Sequence, residues 1–197
     1  MPPLAPPPWP LATATRTPRL PHGPGGWSFE PKLDGWRAAA HVEAGVLHSR
    51  TGTRLDARFP EILDAVRALG PVVLDGELVA YREGELDRAA LAASAGHRRA
   101  RGVGVYYLVF DLLADRTDDL RARSYTERRN RLVALLGDGI GVVQIVPATS
   151  DRDAAAGWIS TDLLQVGIEG VVAKPLTSRY PIHIPSRSGW LKIKQTR

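Results

Sequence analysis

The amino-acid sequence predicts an α+β fold built around antiparallel sheets. The 197 residues are enough for a substantial core, and the apolar (44%) and charged (24%) fractions are typical of a soluble globular protein. Apolar segments with β-branched residues alternate along the chain with segments of helical periodicity. Two strand-like segments are joined by Glu43-Ala44-Gly45, which is typical of a hairpin turn. Hairpins of this kind favour antiparallel neighbours.

The elements follow from apolar runs, alternation and capping signals. Strands are predicted at residues 27–33, 36–42, 45–50, 72–81, 102–113, 141–147, 168–175 and 190–194. Helices are predicted at residues 59–69, 87–95, 125–136 and 153–166. The third helix begins at the capping box Ser124-Tyr-Thr-Glu127, and the fourth ends at Gly167. The arginine-rich stretch that follows residue 95 is predicted to be a loop.

The N-terminal segment 1–26 differs in composition from the rest. It holds nine of the 16 prolines, which excludes a helix or a central strand. It is expected to be either disordered or an extended arm laid over the domain. We therefore divide the chain into a Pro-rich arm at 1–26 and a domain at 27–197.

Composition and charge exclude several classes of function. The absence of cysteine excludes disulfides, thiolate metal sites and a cysteine nucleophile. No apolar run approaches the length of a membrane span, and prolines make the N-terminus a poor signal peptide. The net charge is +5, and no carboxylate follows Glu169, so the C-terminal part is purely basic. Such a tail suits an anion such as a phosphate.

Lysine is scarce among the cations of this chain. Of the 26 basic residues only four are lysine, at positions 32, 174, 192 and 194. Unlike arginine, lysine can become a neutral amine nucleophile or act as a compact point charge. Codon bias and chance are the alternative explanation.

The first candidate site surrounds Lys32. On a strand, Glu30 and Lys32 share a face, and Asp34-Gly35 indicates a turn before Arg37 begins the next strand. A cation beside Lys32 would favour the neutral amine that a nucleophilic lysine needs. An ordinary lysine next to a turn is the alternative.

Two further segments place polar groups at apolar strands. Asp75 and Glu77 share one face of a strand, where carboxylates must be solvated, paired or bound to a cation. Phe110-Asp111 ends another strand, and Phe110 suits either the core or stacking on a base. A wet face of an edge strand is the alternative for the carboxylates.

The last two strands carry the remaining lysines. Glu169 and Lys174 lie at opposite ends of one apolar strand, whereas Lys192 and Lys194 share a face of the next strand with Trp190. Neighbouring lysines repel unless an anion lies between them. These residues therefore indicate a phosphate site or, alternatively, a solvated edge strand.

In this order the segments resemble the nucleotidyltransferase domain of ATP-dependent DNA ligases, whose superfamily also includes RNA ligases and mRNA capping enzymes. The matching motifs are Lys32-Leu-Asp34-Gly35, Ser49-Arg50-Thr-Gly52, Asp75-Gly76-Glu77, Phe110-Asp111, Glu169-Gly170-Val171-Val172 and Trp190-Leu-Lys192-Ile-Lys194. Each motif is weak alone, but six in the family's order are specific. Arg37, Lys174 and the approach to the last motif at Arg187 look most like bacterial repair and end-joining ligases. The resemblance spans Pro10 to Lys194.

The resemblance implies two packed, mainly antiparallel sheets flanked by helices, with a nucleotide cleft between them, as in the related ATP-grasp-like folds. It implies that Lys32 attacks the α-phosphate of ATP, releases pyrophosphate and becomes lysyl-AMP. Glu30 would lie at the adenine edge and Phe110 would stack on the base. Arg37 and Arg50 would contact ribose or phosphate.

The remaining roles implied by the resemblance concern charge. Glu77 and Glu169 would hold Mg²⁺ (or Mn²⁺) or a ribose hydroxyl. Lys174, Lys192 and Lys194 would bind the nucleotide, the last two by neutralising its α-phosphate and triphosphate. Phosphoryl transfer needs this kind of positioning and charge neutralisation more than it needs acid–base groups.

The resemblance also implies partners and leaves alternatives. The expected substrates are ATP and nicked duplex DNA, the latter bound weakly by this domain alone, in a bacterial, nucleoid-associated cytoplasmic setting without a membrane. An OB-fold domain, which in the family follows the last motif, is not expected within these residues, so a separate OB-fold chain or repair partner is a candidate. The alternatives are a non-catalytic nucleotide- or DNA-end-binding remnant and an RNA ligase or capping-type nucleotidyltransferase.

Overall fold

The computed structural model describes residues 10–23, 26–116, 118–180 and 189–195, and these residues form two sheets. The first sheet has the strand order β1 (Thr15–Arg16), β11 (Leu191–Lys194), β10 (Ile168–Pro175) and β2 (Trp27–Leu33). The second sheet has the order β4 (Val46–Ser49), β3 (Trp36–His41), β5 (Val72–Arg82), β7 (Gly104–Asp115) and β8 (Asp118–Asp119). In addition, β6 (Glu85–Leu86) pairs with β5, and β9 (Val143–Ile145) pairs with β7.

Most neighbouring strands are antiparallel, as the hairpin signals predict. The exceptions among the described strands are the parallel pairs β1–β11 and β7–β9. The helices are α1 (Pro60–Val66), α2 (Ala95–Ala100), α3 (Tyr125–Leu136) and α4 (Arg152–Gly157), with 3₁₀ helices at Arg67–Leu69, Arg88–Ala92 and Thr161–Leu164. The predicted α+β fold with two packed sheets is confirmed.

Alternation along β5 separates two apolar layers. Leu74 and Leu78 belong to the large core that the second sheet forms with α1 and α3. Val73 points to the opposite face, where it packs with Trp190 and Tyr180. Residues 75 and 77 follow Val73 on that face by the two-residue period of a strand, so the carboxylates of β5 lie on the side that faces the first sheet.

The outer face of the first sheet has its own apolar cluster. Phe29 of β2, Val171 of β10 and Ile193 of β11 pack there with Leu20 of the N-terminal arm and Ala155 of α4. The first sheet therefore lies between this cluster and the space shared with the second sheet.

Helix α3 starts as predicted at its capping box. The Ser124 hydroxyl accepts from the Glu127 N–H, and the Glu127 carboxylate accepts from the Ser124 N–H. The helix carries Arg128 into the interior, where its guanidinium binds Asp111 of β7 through two hydrogen bonds of 2.7 and 3.0 Å. Both side chains are almost fully buried, so this pair fixes α3 against the end of β7.

The prediction of a loop after residue 95 is wrong. Residues Ala95–Ala100 form α2, because Ser94 caps its first turn by accepting from the His97 N–H. Arg98, which in the sequence looks like one more surface arginine, is buried and binds Glu61 of α1 at 2.7 Å. A long-range ion pair of this kind leaves no local signal in the sequence.

The single helix predicted over 153–166 is also wrong in its extent. Helix α4 covers Arg152–Gly157, and a separate 3₁₀ helix covers Thr161–Leu164. The break occurs because Ser160 adopts an extended conformation and caps the second piece by accepting from the Asp162 N–H. Between the pieces, Trp158 and Ile159 pack on the apolar cluster of the first sheet.

The N-terminal arm is extended in its described part. Thr15 donates its N–H to the Trp190 carbonyl (2.9 Å), and Thr17 donates to the Lys192 carbonyl (3.0 Å), so the arm follows β11. This agrees with the alternative in which the segment lies over the domain. Residues 1–9, 24–25, 117, 181–188 and 196–197 are outside the description, which leaves the expectation for Arg187 untested. Among the described helices, none has the length and apolar character needed to cross a membrane.

Candidate active site

A cleft of about 450 Å³ opens between the two sheets. Residues from both sheets line it, together with part of the N-terminal arm. The lining includes Ala12, Thr13, Ala14, Glu30, Lys32, Arg37, Arg50, Glu77, Arg88, Phe110, Val172, Lys174, Trp190 and Lys192. Most of the residues that the sequence singled out thus meet in one cavity. Glu169 and Lys194 do not line it, but Glu169 contacts both Lys32 and Lys194.

A bulge in β10 places a carboxylate against Lys32. Leu33 pairs with Ile168 and Pro31 pairs with Val171, so two residues of β10 face the single residue Lys32. One of them is Glu169, whose Oε1 contacts the Lys32 ammonium. Its Oε2 accepts from Lys194 Nζ at 2.9 Å. The two lysines more than offset the effect of burial, and the pKa of Glu169 lies below its ordinary value.

The second residue of the bulge must be glycine. Gly170 has φ +144°, and a Cβ at this position would lie 2.0 Å from the Ile193 carbonyl oxygen of β11. This close approach brings β11, and therefore Lys192 and Lys194, next to the bulge.

The turn after Lys32 packs closely against the second sheet. A Cβ on Gly35 would lie 2.1 Å from the Leu78 carbonyl oxygen and 2.9 Å from Glu77 Cγ. The Asp34-Gly35 turn therefore joins β2 to β3 at the point where β5 carries Glu77. This contact explains why a lysine on one sheet and a carboxylate on the other line the same cleft.

Arg37, the cation that the sequence places near Lys32, forms an ion pair with the carboxylate of Asp75. Its Nε and Nη2 each donate to one oxygen of Asp75, both at 2.6 Å. Asp75 is fully buried and also accepts from the Tyr180 hydroxyl at 2.6 Å. Burial opposes the charge of Arg37, but Asp75 outweighs burial and the pKa of Arg37 is raised. A guanidinium held in this way is a fixed charge on the cleft wall.

Glu77 has a strongly perturbed environment. Burial raises the pKa of its carboxyl from 4.5 to about 7, against the opposing influence of Arg37 and Lys32. A carboxyl group that titrates near neutrality in a cleft is typical of functional sites.

The other end of the cleft is built around the Phe110 ring and a buried ion pair. Lys174 Nζ lies 2.7 Å from Glu30 Oε2 and donates to the Phe110 carbonyl at 3.1 Å. The Tyr125 hydroxyl donates to Glu30 Oε1 at 2.7 Å. Burial lowers the pKa of Lys174, with Glu30 opposing. The same ammonium lies 4.6 Å from the centroid of the Phe110 ring and 4.2 Å from that of Trp190.

Two cations that line the cleft, Arg50 and Lys192, have no carboxylate partner among the described residues. Burial lowers the pKa of Lys192, and the charges of Lys32, Lys194 and Arg50 lower it further. Arg50 is held in its turn by Ser49, whose hydroxyl accepts from the N–H groups of Thr51 (3.3 Å) and Thr53 (3.2 Å). An anion between these cations would relieve their repulsion.

Sequence reasoning missed Tyr125 and Tyr180, which reach the site from α3 and from the segment after β10. Tyr125 holds Glu30, and Tyr180 holds Asp75 while accepting from the Ala12 N–H at 2.9 Å. Tyr125 lies inside the predicted capping box of α3, but nothing in the local sequence indicates that its hydroxyl reaches Glu30 on the first sheet. Ala12–Ala14 were missed as cleft lining because only the strand pairing of the arm brings them there.

Comparison with known proteins identifies relatives over nearly the whole chain. The model of the ATP dependent DNA ligase domain matches residues 11–194. DNA ligase C2 of Mycolicibacterium smegmatis is 35% identical over 187 residues, which is 88% of this chain and 51% of that protein. DNA ligase C of Mycobacterium tuberculosis is 35% identical over 187 residues, 86% of this chain and 50% of that protein. The chain thus spans about half the length of these curated relatives.

Solved structures give the same picture. Mycobacterial DNA ligase D complexed with ATP and MES matches with a TM-score of 0.74 and 26% identity, over 96% of this chain and 61% of that one. The ligase domain of M. tuberculosis LigD matches with a TM-score of 0.70 and 27% identity, over 93% of this chain and 59% of that one. With the family model covering residues 11–194 and the cleft carrying the family's ordered motifs, the chain belongs to the ATP dependent DNA ligase domain family.

Proposed function

We propose that this chain carries out the adenylation step of DNA ligation, in which AMP is transferred from ATP to Lys32. One observation carries the proposal: a lysine in a cleft of nucleotide size lies beside two cations, Lys192 and Arg50, that form no ion pair with a described carboxylate. This arrangement suits a polyphosphate and a nucleophilic amine.

The proposed step requires Lys32 as a free amine. The Nζ lone pair attacks the α-phosphorus of ATP, a P–N bond forms, and the bond from that phosphorus to the bridging oxygen breaks. Pyrophosphate leaves with the bonding electrons, and the amine releases its proton to solvent. Lys192 is placed to neutralise charge on the phosphate, while Glu169 holds Lys32 until the nucleotide arrives.

Adenine is proposed to occupy the end of the cleft at Phe110. The ring offers a stacking surface, and Val172 of β10 offers an apolar wall. Glu30 is held by Lys174 and Tyr125 as a hydrogen-bond acceptor, which suits the exocyclic amino group of adenine and disfavours the carbonyl oxygen of guanine at the same position. Lys174 then acts on the nucleotide through Glu30 and Phe110.

The ribose and phosphates are proposed to lie between Arg37, Glu77 and Arg50. The donor set fits a divalent ion of the magnesium type, which uses one or two carboxylates together with substrate phosphates. Glu77 is the available carboxylate, since both oxygens of Glu169 already contact lysines. A bound Mg²⁺ or Mn²⁺ would neutralise phosphate charge. Adenylation would remove the charge of Lys32 and so free one oxygen of Glu169, which could then hold the divalent ion together with Glu77.

The second proposed step is transfer of AMP from Lys32 to the 5′-phosphate of a DNA nick. An oxygen of the 5′-phosphate attacks the adenylate phosphorus, the P–N bond breaks, and Lys32 regains a proton. The DNA ligases among the relatives support a DNA substrate. We expect DNA binding by this domain alone to be weak and salt-sensitive, because most cations of the cleft are already paired. A separate OB-fold chain or repair partner is proposed to assist this second step.

The decisive experiment is covalent labelling with ATP that carries the label on its α-phosphate, in the presence of Mg²⁺. The wild-type chain should retain the label after denaturation, whereas Lys32→Ala and Lys32→Arg should not. Lys194→Arg is the matched control, since it makes the same substitution at the other lysine that contacts Glu169 and should reduce labelling only mildly.

Several outcomes would contradict the proposal. A label that persists in Lys32→Ala would place the chemistry elsewhere. Labelling by GTP but not by ATP would support a capping or RNA-ligase type of enzyme. Binding of nicked DNA or nucleotide without any label on the wild-type chain would support the non-catalytic alternative.

A further inference from the structure

Arg88 lies on the rim of the cleft, on an element that none of the sequence motifs includes. It is the first residue of the 3₁₀ helix Arg88–Ala92, which follows β6. Asp87 fixes the start of this helix, because its carboxylate accepts from the Ala90 N–H at 3.1 Å. The Arg88 side chain lines the same cleft as Lys32, and its Nε lies 2.9 Å from Oδ1 of Asp34 in the turn after Lys32.

The contact between Arg88 and Asp34 is weak because both side chains are exposed to solvent. Half of the Arg88 side chain (53%) and 44% of the Asp34 side chain are accessible to solvent. Exposed ion pairs contribute little, since water competes for both charges. Arg37 on β3 is different, because two short hydrogen bonds hold its guanidinium to the buried Asp75. Arg88 is therefore exchangeable, whereas Arg37 is fixed.

The other cations of the cleft divide in the same way. Lys32 is bound to Glu169, and Lys174 is buried against Glu30. Arg50 and Lys192 face the cleft without a carboxylate. Arg88 adds a third cation that can turn to a ligand once it leaves Asp34. A terminal phosphate competes well with a carboxylate for a guanidinium, because both accept two parallel hydrogen bonds but the phosphate carries more negative charge.

We propose that Arg88 is a phosphate-binding residue at the mouth of the cleft, held on Asp34 at rest and exchanged onto a phosphate when a substrate binds. The inference rests on the proposed function, which supplies two sources of phosphate: the outer phosphates of ATP and the 5′-phosphate of nicked DNA. Both have the same chemistry for a guanidinium. Release of Asp34 also couples phosphate binding at the rim to the turn that directly follows Lys32.

The test compares Arg88→Ala with Arg82→Ala by equilibrium binding. Arg82 is the matched control: it is similarly exposed (45%), lies 3.7 Å from Asp87 and does not belong to the cleft lining. The nucleotide probes are AMP and α,β-methylene-ATP, an analogue whose α–β link does not break. The DNA probes are nicked duplexes with and without the 5′-phosphate.

The expected result is a loss of about three- to tenfold in affinity for one phosphate source in Arg88→Ala, as for a partly exposed charge-assisted hydrogen bond. Weaker binding of the ATP analogue with unchanged AMP binding assigns Arg88 to the outer phosphates. A weaker preference for the 5′-phosphorylated nick assigns it to the DNA. Arg88→Lys should keep part of the affinity, since it keeps the charge but loses the planar fork.

Two results would overturn the inference while leaving adenylation at Lys32 intact. Equal affinities of Arg88→Ala and Arg82→Ala for all four probes would show that Arg88 contacts no phosphate. An equal loss for AMP and the ATP analogue would show that Arg88 only supports the Asp34 turn. A wild-type chain that binds none of the probes would overturn both the inference and the proposed function.

Discussion

Replacing Glu77 by glutamine should stabilise the protein while removing a group that the proposed reaction needs. The pKa of the Glu77 carboxyl is about 7 in the folded state, against 4.5 in an unfolded chain, mainly because folding buries the group away from water. The folded state therefore holds the proton more tightly than the unfolded state. Between these two values, stability falls as the pH rises, since ionisation is harder in the folded protein.

The magnitude follows from the two pKa values. The raised pKa of Glu77 lowers the free energy of unfolding by about 3 kcal/mol at pH 8, where the carboxyl is ionised in both states. At pH 5, where the folded protein keeps the proton, the loss is less than about 1 kcal/mol. Glutamine has the same shape, accepts the same backbone hydrogen bond from Gly35, and carries no charge at either pH. The variant should therefore exceed the wild type in stability by about 3 kcal/mol at pH 8 and by much less at pH 5.

The assay is urea unfolding of both proteins at several pH values from 5 to 8, with the difference in unfolding free energy plotted against pH. Other titrating groups affect both proteins equally and cancel in this difference. Glu85→Gln is the control, because it removes a carboxylate from the exposed strand β6. It should give a difference close to zero throughout.

A difference for Glu77→Gln that stays flat from pH 5 to 8 would refute the reasoning. It would mean that water or a bound cation stabilises the ionised form of Glu77 in the free protein. If the difference rises as expected and adenylate labelling of Lys32 falls, the site keeps a carboxylate that destabilises the fold for the sake of the reaction.

Three further substitutions test how the fold builds the site. Gly170→Ala should lower stability by at least about 2 kcal/mol in urea unfolding and reduce labelling, because its Cβ meets backbone, whereas Gly96→Ala in α2 meets nothing and should stabilise by about 0.5–1 kcal/mol. Arg128→Met should cost about 3–5 kcal/mol in the same assay by leaving buried Asp111 without its partner, and an unchanged free energy of unfolding would contradict the role of this ion pair. Tyr180→Phe should cost about 1–3 kcal/mol and speed proteolysis of the N-terminal arm, and an unchanged cleavage rate would contradict its role in holding the arm.

Local sequence patterns were sufficient to predict most of the fold. The strand that begins at Val72 is recognisable from its β-branched residues, and the start of α3 from Ser124 and Glu127, because these signals depend only on near neighbours. Of the wrong predictions, the helix over 153–166 is interrupted by a local cap at Ser160, whereas α2 also depends on a distant contact. Helix α2 is short, and its Arg98 is stabilised by Glu61, which lies far away in the sequence.

The candidate site was predictable in composition but not in arrangement. Lys32 and Glu169 were both singled out from their strands, yet their contact depends on a bulge, and a register irregularity has no signature in one sequence. The ion pair between Arg37 and Asp75 was not predicted, because the buried Asp75 lies on another strand. The hydrogen bond from Tyr180 to Asp75 was not predicted for the same reason.

The parallel pairing of β1 with β11 has a consequence for biosynthesis. Thr15 and Arg16, near the start of the chain, pair with Leu191 and Lys192, so closing the first sheet requires contacts between the most distant parts of the sequence. Contacts of high sequence separation form late, because loop-closure entropy opposes them. A nascent chain that has emerged from the ribosome only as far as β10 holds Lys32 and Glu169 but none of the cations of β11. The cleft is therefore complete only after translation has passed Lys194.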